Sequence, residues 1–526
     1  MLSRRASQAF TKPAMPSLQL SLTACVGRLQ CKISKKMEGD ITVSELAFDS
    51  ATELAAKLRN KEISAVELLN YYLGRVDQHN GDLNAVVVDT REQALEDAQR
   101  ADEDLAKGNI QGPLHGVPMT VKESFHLAGT ASTWGNPALK DNVFDEDAEA
   151  VKRLKAAGAN VFGKTNIPIS LADFQSYNDV YGTTNNPYDH SRGPGGSSGG
   201  SAAALAAGLT GLEIGSDIGG SIRNPAHFCG VFGHKPTHGL LWMKGHAAVP
   251  NMRSTPDISV IGPLARSADD LRTSIDVIAG PDPIVARGYK LDLPDLGGRS
   301  LKDLRIGIWR GDERAPVAKE VEDRVNKVAA ALRDAGTQLN EEARPAFDPS
   351  ESHDIYGHLL QATMASRMTD ADYNSLVEHV STLDPADQSD AAKVFRSQVT
   401  SFRDWTAANE ARNKLRWAWH DYFHEFDALV MPVMATAAFK HDHRPFGERS
   451  IMVDNAERPY FEQVFWAGLT GVAFLPSTVI PTGLNKDGLP IGVQIVGPEF
   501  GDLMTIGIAQ ELERLGFDFT PPAAYR

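Results

Sequence analysis

Apolar residues recur along this chain with two different periods, and the alternation between those periods predicts the architecture. Helical spacing runs through AEAVKRLKAAG, ending at Gly158, and through KEVEDRVNKVAAALRDAG from Lys319, with apolar positions three and four apart. Between and beyond them lie short strand-like runs: LHGVPMTVK, ANVFGKTN, GLEIGSD, LRIGIW and DALVMPV. Nearer the start, Ser50 with Glu53, Ser64 with Glu67 and Thr90 with Gln93 have capping-box spacing. In that motif a hydroxyl and a carboxyl or amide three residues on satisfy each other's backbone N–H groups, so the folded part is predicted to open with a helical layer. Strands interleaved with helices, rather than grouped apart from them, argue for an α/β fold. No linker-like composition interrupts the chain after residue 45, so residues 38–526 read as one large domain.

Charge separates the first 37 residues from the rest. They hold seven Lys or Arg and no acid, which turns the whole chain's net charge of −15 into −22 over the remainder. This leader is predicted to be disordered. It reads either as a mitochondrial transit-like segment or as translated upstream sequence with Met37 the true start, so the expected compartment is cytoplasmic, or mitochondrial on the first reading. No dense basic stripe follows it, which argues against nucleic acid as a partner. No run of about 18 apolar residues occurs, so no membrane span is expected. Cys25, Cys31 and Cys229 have no zinc-like spacing, and so few cysteines suggest a reducing compartment. His441 and His443 flank Asp442, but without a third ligand or an H-E-x-x-H they read as a solvated loop; no metal or cofactor is expected.

Candidate chemistry sits in three glycine-bearing stretches: Lys122 in GVPMTVKES, Ser197 in RGPGGSSGGSA and Ser221 in GSDIGGSIRNPA. A serine hydroxyl attacks a carbonyl only when a neighbouring base takes its proton. Lysine can be that base when it is neutral, and holding it so at pH 7 against an ordinary pKa near 10.4 costs about 4.6 kcal/mol, which burial can supply. The nearly uncharged run that ends on Lys122 fits such burial. Gly219 and Gly220 can adopt backbone angles closed to other residues and aim the amides of Ile218, Gly219, Gly220 and Ser221 at one point, as an oxyanion hole requires. Taken alone, GPGGSSGG reads as a flexible linker, Ser221 as a turn residue and Lys122 as a solvated strand end. What favours a site is the three together, with SAAALAAG and GLEIGSD placed to bury directly after the serine run.

Two other motifs fail on context. Gly158–Thr165, GANVFGKT, matches the phosphate-loop pattern, but that loop must follow a strand and open a helix, and here the helix precedes the strand. Gly195–Gly199 matches the nucleophile elbow G-x-S-x-G, yet NNPYDHSRGP before it is studded with strand breakers.

PGGSSGGSAAALAAG followed by GSDIGGSIRNPAHFCGVFGHKPT resembles the amidase signature family, and the resemblance extends over most of residues 45 to 515. It implies a large mixed β-sheet covered by helices on both faces. It also implies Ser221 as acyl-forming nucleophile, Ser197 as a bridging serine on a cis peptide, and Lys122 as the base. The 24-position step from Ser197 to Ser221 matches the family's spacing, and Asp217 and Arg223 match positions that organise the serine loop. The implied activity is hydrolysis of a small-molecule amide, with esterase or carbamate side activity, by a chain working alone or as a homodimer. The alternative is the glutaminase-type subunit of a tRNA-dependent amidotransferase. Those subunits usually read GSDTGGSIRQP, and Ile218 and Asn224 here favour the independent hydrolase. Trp134, together with Tyr356, Met364, Phe402, Trp405 and Trp466, is expected either to line an apolar acyl or aryl pocket or to belong to the core.

Overall fold

A computed structural model describes residues 46–250 and 252–526. The expectations for the leader therefore lie outside the described residues. Ala47–Arg526 forms one compact unit.

Two of the three capping boxes form. Ser50 Oγ accepts from the Glu53 N–H at 3.2 Å while Glu53 accepts from the Ser50 N–H at 2.8 Å, and Ser64 with Glu67 repeats the exchange. They start the helices Ala51–Arg59 and Ala65–Leu83. The box expected at Thr90 does not form. Its backbone N–H is tied to the Phe162 carbonyl of a neighbouring strand at 3.0 Å, and Asp89 caps the Arg91 N–H in its place at 2.8 Å.

Eight strands make the main sheet, in the order 338–340, 305–308, 428–432, 490–496, 477–484, 232–235, 260–265 and 213–217. The first two pairings are parallel and the remaining five antiparallel, so the sheet is mixed. Alternate residues of a strand point to opposite faces, and both faces are covered. On one, Thr478 Oγ1 lies 2.9 Å from Thr505 Oγ1 of the helix Asp502–Arg514. On the other, Gly233 and Gly492 leave room for the helix Arg223–Cys229: a Cβ at Gly233 would come within 2.9 Å of Ala226 Cβ, and one at Gly492 within 3.2 Å of His227 Cα. This is the sandwiched α/β arrangement expected.

A smaller sheet carries Pro118–Lys122 beside the parallel strand Asn160–Thr165, which pairs antiparallel with Val86–Asp89. Every residue of Pro118–Lys122 is buried, so the strand delivers Lys122 into the interior. Helix Glu149–Ala156 precedes Asn160–Thr165 with Gly158 at φ +94° between them. That is the reverse of a phosphate loop, and Lys164 is engaged by the Ala131 carbonyl at 2.6 Å and Ser132 Oγ at 2.8 Å. Among the described residues no helix is long and apolar enough to cross a membrane.

Candidate active site

Lys122, at the end of its strand, is fully buried. Its Nζ lies 2.6 Å from Ser197 Oγ, 2.9 Å from Ser198 Oγ and 3.0 Å from Ser216 Oγ. A neutral amine has two N–H donors and one lone pair, and three hydroxyls that each give and take can satisfy all of them. Burial drives the Lys122 pKa well below its ordinary value, outweighing the opposing fields of Asp217, Glu213 and Glu123. None of those carboxylates touches the amine.

Ser197 and Ser198 close the loop before the helix Gly199–Ala206, and the Gly196–Ser197 peptide is cis. No strand runs directly into them from residues 184–196, so the nucleophile-elbow reading has no structural frame. Ser216 projects from the strand Glu213–Asp217, and Ser221 follows four residues after that strand ends. Ser221 is only 7% exposed. The serine segments meet where the Ser198 N–H donates to the Ser221 carbonyl at 3.1 Å. Lys122 and Ser197 are thus in direct contact, whereas no hydrogen bond joins the hydroxyls of Ser197 and Ser221. Rotation about one side-chain bond moves a serine oxygen, and such links commonly tighten only with substrate in place.

The loop Ile218–Ser221 is held from beneath by Asp217. Its carboxylate accepts the N–H groups of Gly220 (2.9 Å), Ile222 (3.1 Å) and Arg223 (3.3 Å), and pairs with the Arg223 guanidinium at 2.9 and 3.0 Å. Both side chains are completely buried. Burial alone would raise the Asp217 pKa, but the Arg223 charge and hydrogen bonds outweigh it and hold the acid at about 2. Arg223 also reaches Thr470 Oγ1 at 2.8 Å and the Ala467 carbonyl at 3.2 Å.

The hydrogen bonds of the loop distinguish its backbone donors. The Gly220 N–H is committed to Asp217, so the donors left unpaired around the loop are those of Ile218, Gly219 and Ser221. Gly220 alone needs a glycine's backbone freedom, at φ +102°. Gly219 is closely packed: a Cβ there would come within 3.3 Å of both Tyr356 Oη and Val464 Cγ2.

The aromatic residues divide. Tyr356, buried, donates to the Ile218 carbonyl at 2.8 Å and so braces the serine loop. Trp134 is buried beside the lysine strand, its backbone N–H donating to Glu123 at 3.1 Å. Met364 lies near Arg367 on the same helix as Tyr356. Phe402 does not join them: it is 82% exposed, stacked on Trp405 at a helix start. Trp405 lies against Arg412, and Trp466 is core, packed edge-on to Trp309. His441 contacts Asn185, His443 stacks on Tyr177, and Asp442 pairs with Arg444. Among the described residues no three His, Cys, Asp or Glu side chains are grouped to hold a metal.

Ser198, Ser216 and Glu213 were not singled out from the sequence. Their only signal there is polarity inside otherwise apolar or small-residue segments.

The Amidase family model matches residues 67–506. A glutamyl-tRNA(Gln) amidotransferase subunit from Heliobacterium modesticaldum is 32% identical over 492 residues, covering 89% of this chain and 97% of that one. The indoleacetamide hydrolase of Bradyrhizobium diazoefficiens is 34% identical over 476 residues, covering 88% and 86%. Among solved structures, a bacterial aryl acylamidase of the amidase signature enzymes superposes with a TM-score of 0.75 at 25% identity, covering 91% of this chain and 97% of that one.

Proposed function

The chain belongs to the amidase signature family and is an amidohydrolase, and from that premise we propose that it cleaves a small-molecule carboxylic acid amide to acid and amine or ammonia through an acyl-enzyme on Ser221. The observation that carries this reading is the fully buried Lys122 amine, surrounded by serine hydroxyls with Ser197 nearest at 2.6 Å. A charged ammonium is costly there, and a neutral one is a base.

In the proposed cycle Ser221 Oγ forms a bond to the amide carbon as its proton passes to Ser197, whose own proton passes to Lys122. The tetrahedral oxyanion takes the unpaired N–H donors of Ile218, Gly219 and Ser221, groups that in comparable hydrolases contribute about 3 kcal/mol each. When the C–N bond breaks, the proton returns through Ser197 to the leaving nitrogen. Water then adds to the ester along the same relay and releases the acid. Because acylation is shared by related acyl compounds, esters and carbamates are expected side substrates.

Similarity to a tRNA-dependent amidotransferase component favours a second reading, a glutaminase-type subunit working within a complex. The purified chain decides between them. Hydrolysis of anilides, aliphatic amides, aryl esters and carbamates by the chain alone, abolished in Ser221→Ala, supports the independent amidase. Glutamine hydrolysis that appears only with partner subunits refutes it.

A further inference from the structure

Two deeply buried arginines near the site are paired with carboxylates: Arg223 with Asp217 at 2.9 Å and Arg449 with Asp173 at 2.7 Å. Arg367 has none. It follows the helix Pro349–Ala365, partly buried, with its guanidinium carbon 5.2 Å from the centre of the Trp134 ring. Its one side-chain hydrogen-bond contact is Met364 Sδ at 4.0 Å, and among the described residues no acid offsets its burial. The nearby buried acid, Glu123, is occupied by the N–H groups of Thr133 and Trp134 and by the Tyr181 hydroxyl.

A second donor beside it is also unsatisfied. Trp134 is 5% exposed, and its indole Nε1 is buried without a partner. A buried N–H of this kind normally finds an acceptor. Both groups are linked to the surroundings of Lys122. The Trp134 backbone N–H is anchored to Glu123, the residue next to Lys122, and the Trp134 ring lies 5.3 Å from that of His246, which contacts Ser124 at 3.0 Å. Arg367 is close enough for its charge to bear on Lys122 and His246. The helix before it reaches the serine loop through Tyr356, about 16 Å away along the helix axis.

We propose that Arg367 and Trp134 form a subsite for an anionic group on the substrate, so that the amides this protein takes carry a carboxylate. The proposal rests on the amidase reading for its substrate class. A carboxylate offers the guanidinium two parallel acceptors and leaves a lone pair for the indole N–H, in surroundings where water competes poorly. Arg367 is then a specificity residue that binds and orients and takes no part in proton transfer.

Matched probes test this. Glutaric acid mono-4-nitroanilide is compared with pentanoic acid 4-nitroanilide, and 3-acetamidobenzoate with acetanilide, placing the charge on either side of the scissile bond. Turnover is measured with the wild type, and binding by calorimetry with Ser221→Ala. At least one charged probe should bind about tenfold or more tighter than its neutral partner. Arg367→Gln should cut that preference by about tenfold to a hundredfold, Arg367→Lys should retain part of it, and Trp134→Phe should lower it severalfold. The change should appear in KM far more than in kcat. Equal binding of charged and neutral partners overturns the proposal, as does an Arg367→Gln loss of the same factor for both, which is what a purely structural stacking role gives. Absence of turnover with all four compounds counts against the amidase substrate reading, and the binding ratio still decides the subsite.

Discussion

Replacing Asp217 with asparagine keeps the shape of the buried acid and removes its charge. In the native protein the two carboxylate oxygens accept five N–H donors, three from the backbone of the serine loop and two from Arg223. An amide supplies one such oxygen and turns the other into an NH2 facing donors. Arg223 then stays fully buried with only neutral acceptors: Thr470, Ala467 and Gln494. Leaving a buried ion without its partner costs about 3–5 kcal/mol, a large share of the ~5–15 kcal/mol that holds a typical protein folded. Urea unfolding at pH 7 should show this loss, and fluorophosphonate labelling of Ser221 should slow because the loop loses its tether. Removing the charge on both sides, in Asp217→Asn with Arg223→Met, should recover part of the stability, since no unpaired ion remains. Asp217 titrates at about 2 in the folded protein, below the ~3.9 of an unfolded chain. Its contribution is therefore complete above about pH 4 and is lost as pH falls toward 2, so the gap between wild type and variant should close over that window. A destabilisation below about 1 kcal/mol at pH 7 would refute the claim that this pair holds the loop.

Ser221→Ala and Lys122→Ala should each lower kcat/KM by more than about a thousandfold, with Ser197→Ala damaged less; normal acylation in Ser221→Ala alongside none in Ser197→Ala would reverse the two serine roles. Because the base must be unprotonated and burial depresses Lys122, kcat/KM should rise with pH along a limb lying well below 10.4, and a limb near 10.4 would show a solvated ammonium. The same depression means the unfolded chain holds a proton the folded chain lacks, so wild-type stability relative to Lys122→Met should increase with pH across that interval, as urea midpoints would report. Gly220→Ala places a side chain at φ +102° and 3.2 Å from Ala467 Cβ; a stability loss of about 1–3 kcal/mol with slower Ser221 labelling is expected, and an unchanged urea midpoint would contradict it.

What the sequence disclosed was local chemistry, and what it hid was competition for that chemistry. Ser50 and Ser64 cap their helices because nothing else claims their backbones, whereas the Thr90 N–H is already spent on the Phe162 carbonyl across a strand boundary. The glycines before Ser221 led to the expectation of a turn of converging amides, yet no pattern in one dimension says that Asp217 takes the Gly220 N–H. Aromatic residues between 350 and 470 were the least legible. Tyr356 reaches the serine loop while Phe402 faces solvent and Trp466 fills the core, and helical spacing alone does not rank them. Arg367 gave no signal, because one arginine in a polar helix end looks solvated until the absence of a nearby acid is visible.

The site's electrostatics follow from which buried ions are given contacting partners. Asp217 and Arg223 touch, so the pair remains ionised and holds the loop. Lys122 is equally buried but touches three hydroxyls and no carboxylate. Had Asp217 or Glu213 been in contact with it, the attraction would have kept the lysine protonated and useless as a base. At their actual positions their fields only moderate the effect of burial. The chain thus uses one low-dielectric interior in two ways, favouring charge on the residues that hold the backbone and disfavouring it on the proposed base. Exchanging contacts should exchange behaviours. Ser216→Asp puts a carboxylate beside Lys122 Nζ, where the wild-type hydroxyl lies 3.0 Å away. That variant should stay folded while its pH–rate limb moves upward and its activity at pH 7 collapses, and a limb that does not move would show that burial is not what sets the lysine's charge.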